Sequence, residues 1–304
     1  MIQFLVGTKF PFMKYRRYSY LVSGALMLAT IVWLVMHGGP RLGVDFTGGT
    51  LLQVRAANNV ATDVVRTAVE ASGHTGAEIQ QIEAEGHTEY MIRLAAQSGD
   101  PFPAIHAAVE QRAPGTNLEL RRTEQVGPKV GRELRDKALW AVLGSLGGIL
   151  LFVGIRYEFK FALGAVMALF HDVLITLGAL CFTNREVSLT VVAALLTIAG
   201  FSINDTIVVF DRIRERSKAM RKDPHERVMD MAVNETLSRT IITSLTVFLT
   251  ALALLVWGGD VLRDFSFAMV VGVLFGTYSS VYVASGLALD IWLWLDRRKE
   301  TKSK

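Results

Sequence analysis

Between residues 187 and 210 the chain carries one formal charge, Asp205. At about 1.5 Å of rise per residue, a helix over this run crosses a hydrocarbon layer about 30 Å thick, which leaves the acid inside the membrane. A carboxylate there costs about 2.5 to 3.5 kcal/mol even on the lenient insertion scale, so Asp205 is expected to face a protein interior or a water cavity and to have a task there. The competing explanation, a carboxyl snorkelling to the headgroups, suits a short aspartate side chain poorly.

Five more apolar runs occur at 18–36, 138–155, 161–182, 240–257 and 265–295. With 51% hydrophobic residues and a mean hydropathy of +0.35, the 304 residues read as a polytopic α-helical membrane protein with six transmembrane helices. A pI near 9.2 does not indicate nucleic acid, because the basic residues sit in short loops, as the positive-inside rule requires. Lys9, Lys14, Arg16 and Arg17 precede the first run, a cluster lies between Arg212 and Arg239, and the tail carries Arg297 and Arg298, whereas Arg185 and Arg263 stand alone. This pattern implies a cytoplasmic N-terminus (1–17), a first helix (18–36) and an outer, periplasmic domain (37–137). Helices two to six follow (138–295) with a basic cytoplasmic loop (211–239), and then a cytoplasmic tail (296–304). The first run exceeds a typical signal-peptide core and reads as a retained helix. The basic segment 211–235 reads as an amphipathic helix along the membrane surface. The lone cysteine, Cys181, permits no internal disulfide.

The polar insert alternates like strands at 50–55, 77–82, 89–94 and 117–124. Helical periodicity covers 61–72, behind a cap at Thr62 or Asp63, and 102–112, between Asp100-Pro101 and Pro114-Gly115; Gly86-His87 is the expected turn. The order β-α-β-β-α-β predicts an α+β ferredoxin-like domain, a scaffold that hosts many functions. His37, His74, His87 and His106 match no ligand spacing and read as surface histidines, so no metal or cofactor is expected. Phosphate-binding loops and nucleophile triads are missing from the sequence, which argues against an enzyme.

In the fifth run, Thr243, Thr246 and Thr250 lie within about 40° of Arg239 by helical arithmetic. An arginine near Asp205 can switch the acid between loaded and empty; a plain cytoplasmic anchor is the other reading. The threonines either bond back to their own helix or line a wet path. In the fourth run, Thr197, Gly200, Asn204 and Asp211 share a stripe, with Ser202 nearer Asp205, and this broad polar face is expected to point inward. His171-Asp172, in the middle of the third run, is either a proton relay or a polar clamp between helices. The small residues Ala268, Gly272, Gly276, Ser280, Ala284 and Ala288 form a packing ridge without chemistry, and Gly144, Gly147 and Gly148 suggest a second seam. Gly48 and Gly49 permit a turn that aims the first strand, with Asp45 as its cap rather than as a catalytic group.

Two stretches closely resemble the hallmarks of the SecF family: Gly43-Val44-Asp45-Phe46-Thr47-Gly48-Gly49, and the segment from Ala199 through Asn204-Asp205-Thr206 to Glu215. The likeness extends to the six-span layout, the insert, His171-Asp172 and Asn234-Glu235-Thr236-Leu237-Ser238-Arg239-Thr240. The resemblance implies a subunit of the SecD-SecF complex in the bacterial inner membrane, a member of the resistance-nodulation-division superfamily. Such a complex uses the proton motive force to promote export of unfolded polypeptide through SecYEG, with SecA on the cytoplasmic side and with YajC and YidC as further partners. By the same resemblance, Asp205 matches the proton-carrying aspartate and Arg239 its partner, with Asn204 beside them. The alternative is a proton-coupled efflux transporter for small molecules. Against it, the chain has one six-span unit and no second Asn-Asp motif.

Overall fold

The computed structural model describes residues 8–84, 87–96, 99–157 and 159–302. Leu42–Leu139 forms one unit and the remaining described chain another. In the smaller unit, four strands arise where residues alternate between apolar and polar: β1 Gly49–Arg55, β2 Glu78–Ala84, β3 His87–Leu94 and β4 Glu119–Val126. They pair antiparallel in the order β2-β3-β1-β4, with Leu52 opposite Ile92 on one side and Thr123 on the other. Numbering helices along the whole chain, α1 is Arg16–His37 and α2 a single turn, Val44–Thr47; α3 Thr62–Ala71 and α4 Phe102–Arg112 then cover one sheet face. Leu52, Val54, Tyr90 and Ile92 meet Val65, Val69, Ile105 and Val109 in its core. This is the ferredoxin-like topology.

Alternation sends Gln53, Arg55 and Glu89 to the opposite face, where Glu89 accepts from Gln53 at 2.7 Å and from Arg55 at 2.9 Å. Leu52 is fully buried. Leu52→Ala is therefore expected to destabilise this unit by about 2 to 5 kcal/mol, read as a lower thermal midpoint for protease cleavage between residues 42 and 139.

Local details of the insert differ from expectation. Helix α3 has Ala61 as N-cap and no side-chain cap; the Thr62 hydroxyl bonds Gln81 instead. His74 is buried, since its chain segment folds back over the end of α3, where its N–H meets the Val69 carbonyl. Of the Gly86-His87 turn, Gly86 lies outside the described residues and His87 opens β3.

The larger unit contains α1, the second part of α5 Pro128–Arg156, α6 Phe159–Phe182, α7 Leu189–Ala219 and α8 His225–Trp257. One continuous last span follows: α9 Asp260–Tyr278, a π-helical segment Ser279–Ala284, and α10 Ser285–Lys302. Six helices among the described residues are long and apolar enough to cross a membrane. Most run past the apolar stretches, because hydropathy marks lipid-facing length whereas a helix continues until something breaks it. Helix α7 begins at Ser188, whose hydroxyl caps the Val191 N–H, and ends only at Ala219. Helix α8 starts after Pro224.

Consequently no separate surface helix occupies 211–235. The basic segment is the continuation of α7 into α8, joined where Arg212 and Arg216 both bond Glu235. Small residues set the remaining spacings. A Cβ on Gly272 would lie 2.3 Å from Ile198, and one on Gly164 would lie 2.8 Å from the Ala284 carbonyl, so the sixth span packs closely on α7 and α6. The second seam behaves otherwise: Gly144, Gly147 and Gly148 are exposed, and beyond their own helix backbone no described atom lies within 4 Å of an added Cβ.

Candidate functional site

Asp205 sits on the inner side of α7 and is 5% exposed. The capped start of α7 and the close ridge of the sixth span fix its position: Gly272 and Gly276 bring that span near enough for Ser280 to reach the carboxyl. Ser280 Oγ donates to Asp205 Oδ2, and Thr240 Oγ1 on α8 donates to Oδ1 at 2.6 Å. Three spans thus converge on one acid. A hydroxyl can give or receive a hydrogen bond, so Thr240 and Ser280 can serve the carboxylate and the carboxylic acid alike.

The residues grouped with Asp205 by helical arithmetic are arranged differently. Asn204 is exposed on the outer side of α7, and among the described residues no hydrogen bond joins it to Asp205. Arg239 is exposed at its own position on α8; its charge acts on Asp205 across a gap that no described hydrogen bond closes. Thr243, Thr246 and Thr250 are exposed as well and spend their hydroxyl protons on their own helix, bonding Arg239, Thr243 and Thr246 carbonyls. The polar stripe of α8 therefore points outward, and the direct partner of Asp205 is Thr240, one residue beyond Arg239. Ser280, on the ridge expected to serve packing alone, packs there and also bonds the acid.

His171 and Asp172 on α6 lie in a second buried polar group. His171 reaches Ser23 on α1, and Asp172 accepts from Ser202 on α7 and Ser279 in the π segment. Ser202 bonds this acid, not Asp205. Sequence reasoning missed Thr240 and Ser279. The available signals were Thr240 next to Arg239 and the adjacent serines Ser279 and Ser280, but helical angles alone do not say which face is inward.

In the smaller unit, the segment around Asp45 is also rearranged. Gly43, not Asp45, caps the turn Val44–Thr47, and Asp45 lies within that turn. Gly48 and Gly49 have φ of +70° and +128°. A Cβ on Gly48 would meet the Pro128 backbone at 2.8 Å and one on Gly49 the Leu94 carbonyl at 2.5 Å, so this corner requires glycine twice over. Among the described residues, no group of three or more His, Cys, Asp or Glu side chains is arranged to hold a metal ion.

The chain matches the family model for the SecD/SecF GG motif over residues 33–60 and that for protein export membrane protein SecD/SecF, C-terminal, over residues 106–294. It is 41% identical to the protein translocase subunit SecF of Rhodothermus marinus, with 94% of each chain covered. The chain belongs to the SecF family. The SecF of Vibrio alginolyticus is 42% identical, with 96% of this chain and 93% of the relative covered. The crystal structure of SecDF from Thermus thermophilus, named there as a translocon-associated membrane protein, superposes with a TM-score of 0.85 at 39% identity. That alignment covers 96% of this chain and 40% of the longer SecDF chain. Asp45, Gly48 and Gly49 fall in the first matched region, and His171, Asp172, Asn204, Asp205 and Arg239 in the second.

Proposed function

We propose that this chain works in the Sec protein-export pathway as the SecF-type partner of a SecD-like chain, and that Asp205 takes up and releases the proton whose flow promotes export. The observation that carries the reading is a buried carboxyl at the meeting point of three spans, held by hydroxyls that suit both of its protonation states. Membership of the SecF family supplies the export context, and the existence of fused SecDF relatives supports the SecD-like partner. The outward stripe of Asn204, Arg239 and the three threonines on α8 also suits a second chain seated against α7 and α8.

In this reading the chain sits in the bacterial inner membrane with both termini in the cytoplasm, and the ferredoxin-like unit lies in the periplasm, where unfolded polypeptide emerges from a SecYEG channel. One charge crossing the membrane potential is worth about 2.3 kcal/mol per 100 mV, a usable bias for a helix rearrangement. Protonation removes the charge of Asp205, changes what Thr240, Ser280 and Arg239 face, and lets the spans repack; the attached outer unit then moves with them.

The test is export of a secretory precursor into membrane vesicles that contain or lack the chain, with the proton gradient intact or collapsed by an ionophore. The chain is expected to stimulate export only while the gradient stands; equal stimulation without it would overturn the reading.

A further inference from the structure

Among the described residues, two buried polar groups of the spans are built on a carboxyl, and the role proposed for Asp205 uses one of them. The other centres on His171 and Asp172, whose side chains are 2% and 0% exposed. Its hydrogen-bond directions follow from a fixed end. The Ser19 carbonyl can only accept, so Tyr278, 3.0 Å away, gives its one hydroxyl proton there. Tyr278 must then accept from Ser23 at 3.2 Å. Ser23 has now used its proton, so it accepts from His171 Nε2 at 3.0 Å, and Nε2 carries hydrogen.

At the other end Ser202 and Ser279 both donate to Asp172 Oδ2. What remains is the 2.8 Å contact between His171 Nδ1 and Asp172 Oδ1. A bare nitrogen facing a bare carboxylate would repel, so this contact holds a proton: imidazolium beside carboxylate, or neutral imidazole beside carboxylic acid. Either way the pair is neutral overall, as its full burial demands.

The two groups are connected twice. On α7, Ser202 and Asp205 stand three residues apart, and Ser202 goes to Asp172. On the sixth span, the adjacent serines Ser279 and Ser280 open the π segment, one bonding Asp172 and the other Asp205. A Cβ on Gly276 would lie 3.4 Å from Ser202 and 3.7 Å from Asp172, so the span is pressed against both. π turns are rare and concentrate at functional sites. Because the serines share one turn of backbone, a shift of one carries the other.

We propose that His171 and Asp172 form a second proton-binding site, coupled to Asp205 through Ser279 and Ser280. The proposal rests on the reading of Asp205 as a proton carrier. Neutralising Asp205 weakens the acceptor for Ser280, the serine pair shifts, and the hold of Ser279 on Asp172 changes; linkage makes the effect reciprocal. Other titratable groups on the helices around the pair include Tyr278, whose ring lies 6.0 Å from that of His171, Tyr282 on the same span, and Arg16 and Tyr20 on α1, both bonded to Asp290 on α10; the charged residues of α7 beyond Phe210 and of α9 before Phe265 stand at the ends of their helices.

His171-Asp172 is the only His-Asp dipeptide in the sequence, so labelling histidine with 13C and 15N and aspartate with 15N identifies its signals, through the bond from the His171 carbonyl carbon to the Asp172 amide nitrogen, by magnetic resonance of the chain in lipid bilayers. The expected result is a protonated Nε2 near neutral pH and a strongly hydrogen-bonded Nδ1. Asp205→Asn should change the proton affinity read at Nδ1 by about fivefold or more, and adding Ser280→Ala should remove that dependence. A bare Nε2, or an Nδ1 signal indifferent to Asp205→Asn, would overturn the proposal. The measurement needs neither partner nor export. A coupled pair in a chain whose stimulation of export ignores the gradient would overturn the function proposed above and leave this site in place.

Discussion

Replacing Asp205 by asparagine is expected to leave a chain that assembles normally and no longer lets the proton gradient promote export. Asparagine has the same shape, and its amide can still meet Thr240 and Ser280, whose hydroxyls can turn to accept from the new NH2. Folding is therefore expected to change by no more than about 1 kcal/mol, the net worth of one hydrogen bond. What asparagine cannot do is bind and release a proton. The gradient-dependent increment of export should fall to the level of vesicles without the chain. Thr240→Val provides the graded case: one donor is lost and the carboxyl stays, so the proton affinity of stimulation should shift by up to about tenfold while its maximum survives. Normal gradient-driven export by Asp205→Asn would remove the acid from the mechanism.

A second large effect is expected far from that acid. Gly49→Val combines a positive φ with a Cβ driven onto the Leu94 carbonyl, at the point where Thr50 pairs with Leu94 at the end of the β1–β3 ladder. The backbone strain alone costs about 1 to 3 kcal/mol, and the overlap with main chain cannot be relieved by a side-chain rotation. Against a domain stability of about 5 to 15 kcal/mol, the sum should open the smaller unit to protease. Gly73→Ala is the control: its φ is +94°, but the added methyl meets open space. It should cost the strain alone and leave the unit protected. Equal protection of both variants would show that the corner tolerates side chains.

The sequence made some of this plain and hid the rest for physical reasons. Alternation and helical periodicity identified the strands and helices of the insert, whose antiparallel order follows from β-α-β-β-α-β. Apolar length identified six spans and misjudged their ends, because lipid selects hydrophobicity while the helix at Phe210 has no reason to stop before the residues leading to Pro224. Helical arithmetic correctly grouped Arg239 with Thr243, Thr246 and Thr250. Angles within one helix carry no inward direction, however, and the whole stripe faces out, which brings Thr240 to the acid instead. The link from Ser279 and Ser280 to two different carboxyls depends on a π turn, and no residue spacing announces one.

The outward stripe on α8 also bears on how the chain is made. An arginine at the centre of a lipid-facing helix costs about 2.5 to 3.5 kcal/mol on the insertion scale, and Arg239 is spared that cost where water, headgroups or another chain surround it. A copy synthesised in excess of its partner would present Arg239, Asn204 and the bare Gly144-Gly147-Gly148 face to lipid together. On that ground an orphan copy is expected to be degraded faster than a partnered one, and matched synthesis of the two chains would then contribute to the molecule's stability. A single reading frame that joins both, as in the Thermus thermophilus SecDF relative, fixes that ratio at the ribosome.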